Sequence, residues 1–88
     1  MPGDTATDQV NNIMGVIEGA LGECGASLED VVVTRMFAAD IRGDWEELGA
    51  AHGNVFNETR PACTLVGSEL LAPWMKVEIE VHAHVSPK

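Results

Sequence analysis

In the run DVVVTRMFAAD, residues 30–40, every position from Val31 to Ala38 except Arg35 is β-branched or apolar. The run is too short for a self-standing helix and too evenly apolar for a half-exposed strand. It reads as a strand buried in the middle of a sheet. The flanking segments must then supply both the covering layer and the neighbouring strands.

Upstream, DQVNNIMGVIEGALGECG (residues 8–25) sets Val10, Ile13, Met14, Ile17, Leu21 and Cys24 on one helical stripe. Thr5 and Asp8 have the spacing of a capping box, and Gly25 suits a left-handed stop. Gly15, Gly19 and Gly22 lie inside the helix, where each costs about 1 kcal/mol relative to alanine. They predict either a closely packed neighbour or a helix that is weak alone. Downstream, DWEELGAAHGNVFNE (residues 44–58) places Trp45, Leu48, His52, Val55 and Phe56 on a second stripe, with Asp44 as its N-cap.

Pro61 then introduces a strand over Ala62–Gly67, since proline is tolerated at a strand's first position. In WMKVEIEVHAHV (residues 74–85), Val77, Ile79, Val81, Ala83 and Val85 alternate with Lys76, Glu78, Glu80, His82 and His84. That alternation marks a strand with one face on a core and one polar face. The element order is helix, strand, helix, strand, strand. A right-handed crossover makes the first two strands parallel and puts both helices on one side. The expectation is a single α+β domain, residues 1–88, a two-layer sandwich with two helices on one face of a mixed sheet.

Five basic residues against fourteen acidic ones give a formal charge of −9, with no basic cluster, which argues against nucleic-acid binding. No apolar run approaches the roughly 18–20 residues of a membrane span, and no secretion signal opens the chain. A soluble cytoplasmic domain is expected, with no membrane partner. No glycine-rich nucleotide motif is present, and no cofactor is expected. Cys24 and Cys63 lack the spacing of a metal or redox pair and read as reduced, buried small hydrophobes.

The pieces ALGECGASLEDVVVTRMFAADI (residues 20–41), NVFNE (54–58), RPAC (60–63) and KVEIEVHA (76–83) resemble, in order and spacing, the Rid family, also called YjgF or endoribonuclease L-PSP. The resemblance runs from about Asp4 to Val85. It implies a chorismate-mutase-like sandwich, a homotrimer, and small-molecule sites in clefts between subunits. It also implies hydrolysis of enamines and imines such as 2-aminoacrylate to keto acids and ammonia.

Two departures stand out. Family members begin with further strands and a G-P-Y-S-type segment that this chain lacks. That leaves residues 74–85 as a free edge, expected to be covered by a second copy or another polypeptide. The family's R-P-A-R is here Arg60-Pro61-Ala62-Cys63, so the arginine that would grip a substrate carboxylate is a thiol, which cannot form that bidentate contact.

Glu78, matching the first glutamate of the family's V-E-I-E, is the candidate general acid or base. Cys63 and Arg60 are the candidate substrate-binding residues, set against a strand cysteine lining a pocket or core and an exposed loop arginine. A nucleophilic Cys63 has no paired base visible in the sequence. His82 and His84 share the i, i+2 spacing of strand metal ligands, but no third ligand can be named, and no metal is expected. His52 reads as a hydrogen-bonded histidine at the core's edge. Glu46, Glu47, Glu58 and Glu69 read as a solvated surface. An enamine or imine deaminase with altered carboxylate recognition comes first. A non-catalytic ligand-binding or assembly module is the alternative, and a ribonuclease is third, opposed by the charge.

Overall fold

A computed structural model describes residues 3–85. Helix α1 spans Ala6–Glu23 and begins where the Asp8 N–H donates to Thr5 Oγ1 at 3.0 Å. It ends at Cys24 and Gly25, the latter at φ 80°, as a left-handed stop requires. Cys24 is therefore a capping residue at the surface rather than the last member of the buried stripe. Ala6, Gln9, Val10 and Met14 are the buried residues of α1, with Ile13, Ile17 and Leu21 partly covered. A Cβ at Gly15, Gly19 or Gly22 would meet nothing within 4 Å, so no neighbour packs closely there. The glycines mark a helix that leans on its tertiary contacts instead.

A 3₁₀ turn over Leu28–Asp30, with the Ser27 N–H donating to Asp30 Oδ2 at 2.9 Å, leads into strand β1, Val31–Ala38. Helix α2 spans Ile41–Phe56 and starts earlier than Asp44 suggested. Asp40 is its N-cap, accepting the Gly43 N–H at 3.2 Å. With the extra turn, Ile41 takes the core-facing place seven residues before Leu48, and Trp45 is left 55% exposed. Strands β2, Ala62–Gly67, and β3, Val77–Ala83, complete the fold; His84 and Val85 lie just beyond the last strand.

The sheet order is β2-β1-β3, with β1 parallel to β2 and antiparallel to β3. Thr34, Met36 and Ala38 face the helices and are at most 1% exposed. Beside them in register lie Cys63, Leu65 and Gly67 on β2, and Val81, Ile79 and Val77 on β3. The opposite face carries Arg35 and Phe37 of β1, flanked by Thr64 and Val66 and by Glu80 and Glu78, and among the described residues no helix covers it. The apolar character of β1 thus reflects pairing along both edges more than burial of both faces: Val32 and Arg35 are exposed, while Val33 and Phe37 are half-buried.

Two polar side chains fasten the layers. Glu47 of α2 accepts both the N–H and the hydroxyl of Thr7 at 2.8 Å, serving an orphan amide in the first turn of α1. Those bonds, the backbone one first, pull its carboxyl below the usual range. Glu47 is therefore a helix tie, not the free surface carboxylate its exposed position on α2 suggests. Gln9, 3% exposed, donates to Gly3 O at 3.2 Å and Trp74 O at 2.9 Å, and accepts the Lys76 N–H at 2.7 Å. Its amide holds the chain that leads into β3 against α1. Among the described residues, no helix is long and apolar enough to cross a membrane.

Replacing Gln9 by methionine keeps the volume and removes these bonds, leaving Trp74 O and Lys76 N–H without them. The expected loss is about 1–3 kcal/mol in urea denaturation. An unchanged midpoint and slope would show that the amide is replaceable by packing alone.

Candidate functional site

Strand alternation fixes where each candidate points. Glu78 lies opposite Phe37 in the β1–β3 ladder, so its carboxylate rises from the uncovered face. It is exposed, and among the described residues it has no ion pair or side-chain hydrogen bond. The half-buried ring of Phe37 gives it an apolar wall on one side.

Along the same face, Arg35 Nη1 lies 3.2 Å from Glu80 Oε1 and 3.3 Å from His82 Nε2. His82 Nε2 is in turn 3.6 Å from Glu80 Oε2. All three side chains are about half exposed. The row is a solvated network in which the histidine is already engaged. Among the described residues, no three metal-ligating side chains gather in one place, and His84 stands outside the strand that carries His82.

Cys63 lies elsewhere. It is exposed on β2, in register with Thr34, and so belongs to the helix-covered side of the sheet. Its exposure corrects the buried small-hydrophobe expectation: β2 is an outer strand, and only Leu65 among its residues is half-buried. Glu78 and Cys63 occupy opposite faces and different rungs, so a single chain does not bring them together. Arg60 precedes β2 and folds back on α2. Its Nε–H donates to Asn57 O at 2.9 Å, and its guanidinium lies against Gly53, where a Cβ would come within 2.9 Å of Nη2. Glycine at this position admits that approach.

Next to Cys63 in the sheet, Thr34 is fully buried with its Oγ1 2.8 Å from His52 Nε2. The His52 ring packs on Phe56, centroids 4.8 Å apart. Burial pushes the imidazole pKa down, and the nearby Arg60 charge adds to the effect. The edge-of-core reading of His52 thus finds its partner in Thr34. The sequence had a signal for that residue, a lone hydroxyl in an apolar run, which was absorbed into the strand's β-branched character.

Two surface depressions lie away from both candidates. An apolar groove of about 310 Å³ runs between α1 and the chain leading into β3, lined by Ile13, Val16, Trp74 and Val77. A second of about 480 Å³ lies under the loop around Ser68, Glu69 and Pro73.

A sequence profile described as endoribonuclease L-PSP matches residues 1–85. The 3-aminoacrylate deaminase RutC of Acinetobacter baylyi is 32% identical over 83 residues, which is 94% of this chain and 64% of that protein. The chain therefore spans less than two thirds of the length of that relative. A member of the YjgF/YER057c/UK114 family from Mycobacterium tuberculosis superposes with a TM-score of 0.90 at 42% identity, over 94% of this chain and 70% of the other. A YjgF-family protein from Neisseria meningitidis gives 0.89 at 28% identity, over 98% and 72%.

The state of His52 leads to a pH prediction. Its folded pKa lies below the unfolded value of about 6.5, so the unfolded chain binds the proton more readily. The stability it contributes is complete above that value and declines as the pH falls beneath it. Urea denaturation across pH 5–8 should show this decline, and His52→Gln should flatten it. An equal pH slope in both proteins would contradict the assignment.

Proposed function

The chain belongs to the endoribonuclease L-PSP (Rid, YjgF) family, and we propose that it hydrolyses small imines or enamines lacking a carboxylate, with Glu78 as general base and acid. The observation that carries this reading is Glu78 itself, exposed on the uncovered face beside Phe37 with no cation holding its carboxylate among the described residues. The similarity to a 3-aminoacrylate deaminase over most of the chain supports the reaction class.

The steps balance without a cofactor. Protonated Glu78 first gives its proton to the enamine carbon, leaving an iminium. Its carboxylate then takes a proton from the water that attacks the iminium carbon, and the π electrons move to nitrogen. Glu78 passes that proton to the nitrogen and takes the hydroxyl proton as the carbinolamine collapses, so the C–N bond breaks, ammonia and a carbonyl compound leave, and the acid is restored. A positioned carboxylate of this kind contributes roughly 10²–10⁴-fold.

Cys63 supports the preference for uncharged substrates, because a thiol at the place of the family's arginine offers no fork for a carboxylate. Glu78 and Cys63 on opposite faces of one sheet can meet one small molecule only across a boundary between copies, in keeping with the family's intersubunit cleft. The same separation favours a second reading, a non-catalytic ligand-binding or assembly module.

Ammonia release from a neutral imine and from freshly generated 2-aminoacrylate decides between the two. Hydrolysis of the neutral imine, cut by about 10²-fold or more in Glu78→Gln, is the expected result. Cys63→Arg should shift the preference towards 2-aminoacrylate. A folded chain inert towards both substrates would leave the binding or assembly reading in its place.

A further inference from the structure

We propose that the substrates of this site are imines made by two-electron oxidation of primary amines with apolar side chains, a claim that rests on the deaminase reading and narrows it. An imine derived from an amine and one derived from an amino acid with the same side chain differ by a single carboxylate. In either protonation state the amine-derived imine is therefore more positive by one unit of charge. Which of the two fits depends on the cations that can reach a molecule held at Glu78.

The basic residues among the described ones are Arg35, Arg42, Arg60 and Lys76. Arg35 shares the uncovered face with Glu78, one row away, but its guanidinium lies 3.2 Å from Glu80 Oε1 and 3.3 Å from His82 Nε2. The charge of Lys76 is felt by Glu47 of α2, on the helix side. Arg42 belongs to the first turn of α2, in the same layer. Arg60 accompanies Cys63 to any boundary between copies, yet it is turned back onto α2, donating to Asn57 O at 2.9 Å and packing on Gly53. Each of these cations is committed elsewhere. A carboxylate beside Glu78 would meet like charge without a guanidinium to offset it, whereas a protonated imine meets an opposite charge. The 88 residues carry a formal −9, which steers cations inward and anions away.

The same row of the sheet selects the side chain. Val66, Phe37 and Glu78 lie side by side across β2, β1 and β3 on the uncovered face. Opposite residues of an antiparallel pair hold their Cβ atoms about 4.5–5.5 Å apart. An iminium paired with the Glu78 carboxylate thus lies against the Phe37 ring, whose face attracts a cation. An alkyl or arylalkyl group then runs over Phe37 towards Val66, covering apolar surface that is now half open to water. The neighbouring row of Thr64, Arg35 and Glu80 is polar and offers no such wall.

A flavin-dependent amine oxidase is the class of enzyme that supplies such a substrate. The C–N single bond of the amine becomes C=N as two electrons and two protons pass to the flavin and on to dioxygen, which leaves as hydrogen peroxide. Addition of water and loss of ammonia then yield an aldehyde. An elimination from an amino acid would instead leave the carboxylate next to the reacting carbon. The aldehyde is electrophilic, so its consumer is an oxidation to the acid or a reduction to the alcohol.

Two imines with one side chain test the proposal. The first is generated from phenethylamine by a flavin amine oxidase, the second from phenylalanine by a flavin amino-acid oxidase, each with catalase present. Ammonia release above the uncatalysed rate should give a kcat/KM at least about tenfold higher for the amine-derived imine. Raising the ionic strength from about 0.02 to about 0.15 M should narrow that ratio by screening. Phe37→Leu keeps an apolar side chain and should lower kcat/KM for the amine-derived imine about threefold, with circular dichroism unchanged. Equal rates, or a preference for the phenylalanine imine, overturn the proposal while the deaminase reading stands. So does a ratio that salt leaves unchanged, or a Phe37→Leu protein as active as the wild type. A folded protein that accelerates neither imine removes the deaminase reading, and the proposal with it.

Discussion

Everything in this fold is referred to β1, the strand paired along both edges. Its helix-facing row of Thr34, Met36 and Ala38 is almost wholly withdrawn from water. A strand so placed must satisfy its backbone through two different ladders at once, parallel to β2 and antiparallel to β3. That double requirement fixes which face of each outer strand meets the helices. The helices then have one surface to cover, and α1 and α2 lie side by side on it, joined where Glu47 meets Thr7. Hydrophobic burial pulls the layers together, while a few buried polar contacts decide their alignment.

The sequence revealed much of this because its periodicities are clean. The strict alternation of β3 and the 3.6-residue stripe of α1 each have one physical interpretation, and the parallel crossover follows from chirality. It was less legible where two residues competed for one role. Asp40 and Asp44 are both credible helix caps, and the choice fell to the one that lets Ile41 reach the core. Cys24 continues a stripe in sequence, but the helix ends before that position turns inward. Trp45 fits the helical period yet lies outside the region that the sheet can cover.

The candidate site was less legible still, since a site depends on which faces converge and alternation speaks only within one strand. Glu78 could be placed on the polar face of its strand from sequence alone. That Cys63 belongs to the other side of the sheet required the register of β2 against β1, which no local pattern contains. The buried pair of Thr34 and His52 links residues of a strand and a helix whose mutual rotation is set by packing. Glu47 and Gln9 were hidden for a similar reason: their partners, Thr7, Trp74 and Lys76, are distant in the chain.

Gln9 has one more consequence. A side-chain amide carries the same donor and acceptor as a peptide group, so opposite Trp74 and Lys76 it acts as a one-residue stretch of strand supplied by a helix. The chain thus enters β3 from a point fixed against α1, and the start of the strand is set by a helix side chain rather than by a neighbouring strand.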